Sequence, residues 1–146
     1  MTEVEFFTGV AEPIDFACRL LRKAYRKGAR LLVTAPPETV QALDRALWTF
    51  DEREFVPHIK IDGPVPIAAT RTPVWLSAQP NIQGAHEGAP DVLINLGADA
   101  PAELAAISRF TRLIEIVSHE ADEAQRGRQR WRHYRELGLA IKHHTP

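Results

Sequence analysis

The ten positions from Arg126 to Arg135 contain five arginines, together with Trp131 and Tyr134. Arginine binds carboxylates and phosphates through paired hydrogen bonds and also stacks on aromatic rings. At about 100° per residue, one face of a helix over this segment carries Arg128, Trp131, Arg132 and Arg135. Such a face fits an anionic ligand with an apolar group, either a single-stranded nucleic acid or an acidic peptide with a hydrophobic C-terminal residue. A further interpretation places Trp131 and Tyr134 in the core and leaves the arginines as a solvated outer face.

Two further side chains have types that are used in catalysis. Cys18 lies on the apolar face of a predicted helix, where a cysteine is more often a small buried hydrophobic residue than a nucleophile. His58 follows Pro57 at the end of an apolar stretch, and histidine often serves as a general base. However, no sequence motif of a nucleophilic serine or cysteine accompanies it. These residues therefore favour a protein that is not an enzyme, and a degenerate α/β enzyme that uses His58 is the less favoured alternative.

A metal site is the other chemistry to consider, because a histidine and three carboxylates fall within residues 119–123. These carboxylates are better explained by the first turns of a helix capped by Ser118, where the helix dipole favours negative charge. His143 and His144 are too few for a structural metal site, and we expect them in a frayed C-terminal tail. The prediction is no metal and no cofactor.

Composition and charge place the chain among soluble globular proteins. It has 146 residues, 45% of them hydrophobic and 25% charged, and Cys18 is the only cysteine. The beginning of the chain, "MTEVEFFTGV", is acidic and unlike a secretory signal, and no apolar run approaches the ~20 residues of a membrane span. We therefore expect a cytoplasmic protein without membrane contact. The sequence pI of about 6.6 is also low for a dedicated duplex-binding domain, so the positive charge is local.

The elements that must position the arginine-rich helix alternate between strands and helices. Pro13 and Gly28 bound a first predicted helix, and a second begins at 36–37 and ends near Trp48. Apolar runs bounded by turn residues predict buried parallel strands. The predicted strands are 4–10, 29–35, 53–61, 72–78, 91–97 and, as the last strand, 112–117. The remaining predicted helices are 101–110 and 119–137.

The loops after the first two predicted strands argue against a bound nucleotide. They read "TGVAEPID" and "TAPPET", which lack a glycine-rich phosphate-binding pattern, and each proline removes a backbone donor. The turn-rich segment 79–90 is expected to be exposed. We therefore predict one α/β domain over residues 1–146. It has a mostly parallel sheet with helices on both faces, Rossmann-like but without a nucleotide-binding loop.

Three segments carry a resemblance to a known family. They are "ALDRALWTFDEREFVPH" (42–58), "DVLINLG" (91–97) and "RQRWRHYRELG" (128–138). In this order and at these separations they closely resemble the chi-subunit family of bacterial DNA polymerase III, small accessory proteins of the clamp-loader complex. The match extends essentially from end to end. The resemblance implies an α/β fold that binds no nucleotide and an adaptor of the replisome whose association with DNA is indirect.

The resemblance also implies a peptide-binding site. Members of the family bind the C-terminal tail of single-stranded DNA-binding protein (SSB), an acidic segment that ends in a Pro-Phe pair. Arginines would meet the tail's carboxylates, and the apolar end of a strand would receive the phenylalanine. Relatives have a lysine at the position of Ala124, and Arg126 is near enough in sequence to supply that charge. The residues assigned to the tail are Arg128, Trp131, Arg132, Val117 and, further along the same helix face, Arg135.

A second partner implied by the resemblance is the psi subunit, through which family members join the clamp loader. Trp48 and Phe55 lie in the family's most recognisable stretch, and we predict that they help to form the surface for psi or an alternative partner. The competing interpretations are a core position for Trp48 at the base of its helix and an inward-facing strand position for Phe55. Direct binding of single-stranded nucleic acid by the basic C-terminal helix is the alternative function.

Overall fold

Seven strands form one parallel sheet in the computed structural model, which describes residues 1–79 and 88–146. The four strands at the centre of the sheet are built mainly from buried residues, most of them apolar, as expected for a parallel sheet that is covered on both faces. The strands are β1 (Glu3–Val10), β2 (Leu31–Thr34), β3 (His58–Lys60), β4 (Val74–Ser77), β5 (Val92–Asn95), β6 (Arg112–Ser118) and β7 (Ile141–His144). Their order in the sheet is β3-β4-β2-β5-β6-β1-β7.

In the described part of the chain, four α-helices connect the strands. Proline stands at the beginning of the first two helices, where its missing N–H group has no intrahelical partner to lose. A 3-10 helix over Ile67–Arg71 precedes β4. Within the described residues, no helix is long and apolar enough to cross a membrane. The α-helices are α1 (Pro13–Arg26), α2 (Pro37–Thr49), α3 (Leu104–Ser108) and α4 (Ala121–Glu136).

The helices divide between the two faces of the sheet. In β6, Ile114 and Ile116 belong to the apolar cluster that contains α1 and α2, whereas Leu113 and Val117 belong to the cluster that contains α3 and α4. This division follows from the alternation of side chains along a strand. The predicted α/β fold, with a parallel sheet and helices on both faces, is therefore confirmed.

Two predicted elements differ in the structure. The predicted strand 53–61 shrinks to β3, because the Asp51 carboxylate accepts a hydrogen bond from the Arg53 N–H at 2.8 Å and folds this segment into a turn. Pro57, which has no N–H, lies just before β3. The helix predicted over 119–137 begins at Ala121, and Ser118 does not cap it. Instead, Ser118 Oγ accepts a hydrogen bond from the Glu120 N–H at 3.2 Å.

The prediction that β6 is the last strand is wrong. The C-terminal residues of β7 extend the sheet beyond β1, with Phe6 opposite His143 and Phe7 opposite His144. The two histidines therefore belong to an edge strand and not to a frayed tail. Most of the segment 79–90, which was expected to be exposed, lies outside the described residues.

Candidate functional site

An open cleft of about 590 Å³ lies between α4 and the carboxyl-terminal half of β1. Its walls combine aromatic and aliphatic side chains with two guanidinium groups. This mixture suits a ligand that is anionic and partly apolar, and the volume falls within the usual range for ligand pockets, about 300–1,000 Å³. The lining comprises Phe6, Thr8 and Gly9 from β1, residues 117–119 at the end of β6, Ala124, Gly127, Arg128, Trp131 and Arg132 from α4, and His143 from β7.

The strand order explains why a cleft forms here. The chain leaves β1 through α1 toward β2, and it leaves the adjacent strand β6 through α4 toward β7. These two connections run in opposite directions along the sheet, so α1 and α4 lie on opposite faces. Such a reversal opens a crevice at the carboxyl ends of the strands, the usual ligand site of open α/β sheets. A shift of register between Phe7 and Val10 adds a bulge at this point, where Gly9 adopts a φ of 68°.

An aromatic cluster forms one wall of the cleft. The ring of Phe6 lies 4.9 Å from that of Trp131 and 5.9 Å from that of Tyr134, measured between centroids. Tyr134 is fully buried, whereas Trp131 is only partly buried and lines the cleft. The core position expected in one interpretation therefore holds for Tyr134 alone, and Trp131 presents an aromatic surface to a ligand.

The five arginines have different environments. Arg128 and Arg132 line the cleft, and Arg128 Nη2 donates a hydrogen bond to Gln125 Oε1 at 2.7 Å. Arg126, which is expected to supply charge beside Ala124, lies outside the cleft lining and forms an ion pair of 2.8 Å with Glu123. Arg135 is exposed in the last turn of α4 and does not line the cleft. The structure brings together Arg128, Trp131, Arg132 and Val117, with Arg135 one turn away.

Arg130 is the arginine whose position the sequence analysis missed. It is only 7% exposed, and its Nε donates a hydrogen bond to Glu115 Oε1 at 2.9 Å. The other carboxylate oxygen of Glu115 accepts hydrogen bonds from the Tyr134 hydroxyl at 2.6 Å and from Asn95 Nδ2 at 2.9 Å. Burial raises the pKa of Glu115, and Arg130 and the two hydrogen-bond donors oppose that rise. This network ties α4 to the sheet beneath the cleft.

Trp48 and Phe55 form a second surface, which lies near β3 at the opposite edge of the sheet from β7. Trp48 is 62% exposed and Phe55 is 45% exposed, and their ring centroids are 5.0 Å apart. The competing core and inward-facing interpretations are therefore wrong. An exposed pair of large aromatic residues is a recurring feature of protein interfaces.

The side chain of His58 packs against both rings of this aromatic pair. Its ring is buried and lies 5.3 Å from Trp48 and 5.5 Å from Phe55, measured between centroids. Nδ1–H donates a hydrogen bond to the Val56 carbonyl at 2.8 Å, while Nε2 lies 3.2 Å from Asp44 Oδ1 without hydrogen-bond geometry. These contacts help to hold Trp48 and Phe55 in position, and the imidazole is out of contact with solvent.

Cys18 lies in the core on α1, as expected for a small buried hydrophobic residue. Burial, together with a smaller effect of the nearby Asp15 carboxylate, raises the pKa of its thiol to about 11. Because the thiolate is the reactive form of cysteine, this environment suppresses nucleophilic chemistry.

Comparison with known proteins identifies the family. The family model described as DNA polymerase III chi subunit matches residues 1–142. The chi subunit of Pseudomonas aeruginosa is 33% identical over 151 residues, covering 99% of this chain and 96% of the relative. That of Haemophilus influenzae is 31% identical over 131 residues, covering 85% of this chain and 81% of the relative.

A solved structure of the C-terminal domain of Saccharomyces cerevisiae Dbp5, bound to Gle1, shares the fold with a TM-score of 0.61. It is 10% identical in sequence, and the superposition covers 99% of this chain and 90% of the other. This likeness concerns the α/β architecture alone. The family match and the similarity to the chi subunits extend over nearly the whole chain, and the protein therefore belongs to the DNA polymerase III chi subunit family.

Proposed function

We propose that this protein is a non-catalytic adaptor of the replisome that binds the acidic C-terminal tail of SSB in the cleft beside α4. One observation carries the proposal: Arg128 and Arg132 flank a cavity whose walls include Phe6, Val117 and Trp131. Positive charge and apolar surface occur together there. Membership of a polymerase III subunit family supports a role in replication.

The chemistry of the tail matches the two parts of the cleft. Arg128 and Arg132 would bind the tail's aspartates and its terminal carboxylate, and a hydrogen bond to a charged group contributes about 1.5–3 kcal/mol. Among the described residues, neither arginine forms an ion pair within the chain, so both guanidinium groups are available to a ligand. The phenylalanine would enter the apolar part of the cleft, against Val117 and the ring of Trp131.

The second surface supports a bridging role. Trp48 and Phe55 would receive the psi subunit, or another clamp-loader protein in its place, while the cleft holds the SSB tail. Because the two surfaces lie at opposite edges of the sheet, both partners can bind at once. Weak contacts to several SSB tails would then hold the clamp loader near SSB-coated DNA through effective concentration, in the cytoplasm and without direct DNA binding.

A titration of the purified protein tests the proposal. The ligands are the host SSB C-terminal peptide, the same peptide without its final phenylalanine, and a single-stranded oligonucleotide. We expect the intact peptide to bind, the truncated peptide to bind at least tenfold more weakly because the apolar part of the cleft stays empty, and the oligonucleotide not to bind.

The same titration can refute the proposal. Binding of the oligonucleotide alone, with an affinity that grows with its length, would make the basic helix a nucleic-acid site. Equal affinities for the two peptides would show that the final phenylalanine does not contribute to binding, and would contradict its proposed place in the cleft.

A further inference from the structure

β7 places a histidine in the wall of the cleft. His143 lies opposite Phe6 in the parallel pairing of β7 with β1, so both side chains face α4. Its ring packs edge-on against Trp131, with centroids 5.4 Å apart and an interplanar angle of 86°. His143 Nε2 also lies 2.6 Å from the hydroxyl oxygen of Thr8, another residue of the cleft.

The contact with Thr8 is compatible with both protonation states of the imidazole. A threonine hydroxyl can donate to an unprotonated ring nitrogen or accept from a protonated one. Protonation of His143 therefore adds a positive charge to the wall of the cleft without requiring the ring to move. Imidazole is the side chain whose charge changes most readily between about pH 5 and 8.

The groups around His143 are cationic or neutral. Arg128 and Arg132 face the cleft from α4, and His119 faces it from the end of β6. The neighbouring charged residues of the strands, Glu5 and Lys142, point to the other face of the sheet, where Glu5 pairs with Arg112 at 2.7 Å. Among the described residues, the lining of the cleft contains no carboxylate.

We infer that His143 is a ligand-contacting residue of this cleft and supplies, when protonated, a third cationic group for the carboxylates of an acidic peptide. The inference rests on the peptide-binding function proposed above. It makes the C-terminal strand part of the binding site. It also makes peptide affinity increase as the pH falls, because the aspartates of the peptide stay ionised over the range in which a histidine gains its proton.

The test is a peptide titration at pH 6.0 and pH 8.0 with the full chain and with the variants His143→Gln, His144→Gln and His119→Gln. The wild-type protein should bind the SSB C-terminal peptide about threefold to tenfold more tightly at pH 6.0, as expected for one added charge-assisted contact. His143→Gln should reduce that ratio to less than about twofold. His144→Gln is the matched control, because His144 lies on the same strand but stacks on Phe7 away from the cleft, and it should keep the wild-type ratio.

The outcomes separate the two claims. If the wild-type protein binds no peptide at either pH, the proposed function fails. If it binds and His143→Gln keeps the pH dependence, or if His119→Gln is the variant that removes it, only the assignment of His143 is overturned. Thermal unfolding of each variant at both pH values shows whether a change in affinity reflects loss of the fold.

Discussion

Gly127 of α4 lies directly against Val117 of β6, so closely that a Cβ atom built on the glycine would be 2.7 Å from Val117 Cγ1. Val117 is β-branched and buried, so its side chain has little freedom to turn away. Both residues line the cleft. The absence of a side chain at position 127 therefore lets α4 approach the sheet and fixes how the helix sits above the floor of the cleft.

Gly127→Ala should lower the free energy of unfolding by about 1–3 kcal/mol, because the overlap with Val117 outweighs the gain of about 1 kcal/mol in helix propensity. Denaturant unfolding monitored by circular dichroism measures the change. In a Val117→Ala background, the same substitution should be neutral or stabilising, since the space is then available. Equal effects of Gly127→Ala in both backgrounds would show that the two residues do not constrain each other.

Arg130→Met should destabilise the protein strongly, by about 3–5 kcal/mol at pH 7, because it leaves the buried Glu115 carboxylate without its cation. Arg132→Met is the matched control on the same helix. Since Arg132 is exposed, its replacement should change the free energy of unfolding by less than about 0.5 kcal/mol.

The destabilisation by Arg130→Met should also depend on pH. Burial raises the pKa of Glu115 above its ordinary value of 4.5, and removal of Arg130 takes away the largest opposing effect. The folded variant then binds the Glu115 proton more tightly than the unfolded chain, so its stability is retained below about pH 4.5 and is lost as the pH rises. Urea unfolding at pH 4.5 and pH 8 measures this. A loss that is the same at both pH values would contradict the role of Glu115.

The centre of the sheet could be predicted from the sequence because its strands are mainly apolar runs, as in residues 31–34 and 92–95. β7 could not, because its sequence "IKHH" is polar. As an edge strand covered only in part, it lacks both the apolar run of a central strand and a clear alternation. Its formation depends on pairing with β1, a contact between opposite ends of the chain.

The candidate site was predicted in part. Helical periodicity grouped Arg128, Trp131 and Arg132 correctly, but it treated Arg130 as one more surface charge. A signal was present in β6, where Glu115 interrupts the apolar run "RLIEIV" and needs a buried partner. Arg130 lies four residues before the buried Tyr134 and therefore on the same helix face. It was the residue in position to supply the positive charge that Glu115 needs.

The thiol of Cys18 should be unreactive in the folded protein. Burial in the core raises its pKa to about 11, so little thiolate forms at pH 8. We expect Ellman's reagent to modify it slowly in buffer and rapidly in denaturant, with one thiol per chain. Fast reaction under native conditions would show that α1 opens and exposes the residue.

The position of each arginine relative to the cleft should determine its effect on peptide binding. Arg128→Ala should weaken binding of the SSB C-terminal peptide by about tenfold or more, because it removes a charge-assisted contact in the cleft. Arg135→Ala removes the same charge from the same helix outside the cleft lining, so we expect less than about a twofold change at physiological salt. Fluorescence anisotropy with a labelled peptide measures both. Equal losses would mean that the peptide follows the basic stripe of α4 rather than entering the cleft.

The two surfaces should be separable by mutation. Phe55→Ala should reduce capture of clamp-loader proteins, psi included where the host makes it, by more than about tenfold, as expected for a central aromatic contact of an interface. It should leave the affinity for the SSB peptide unchanged, because the cleft lies at the other edge of the sheet.

Arg128→Ala provides the reciprocal test, since it should weaken peptide binding and leave clamp-loader capture intact. Pull-down with purified partners, run beside the peptide titration, gives both readouts. Phe55 is 45% exposed, so its truncation should lower the free energy of unfolding by no more than about 1 kcal/mol. A Phe55→Ala variant that unfolds, or that loses both peptide binding and clamp-loader capture, would show that the aromatic pair stabilises the fold and does not serve as a binding surface.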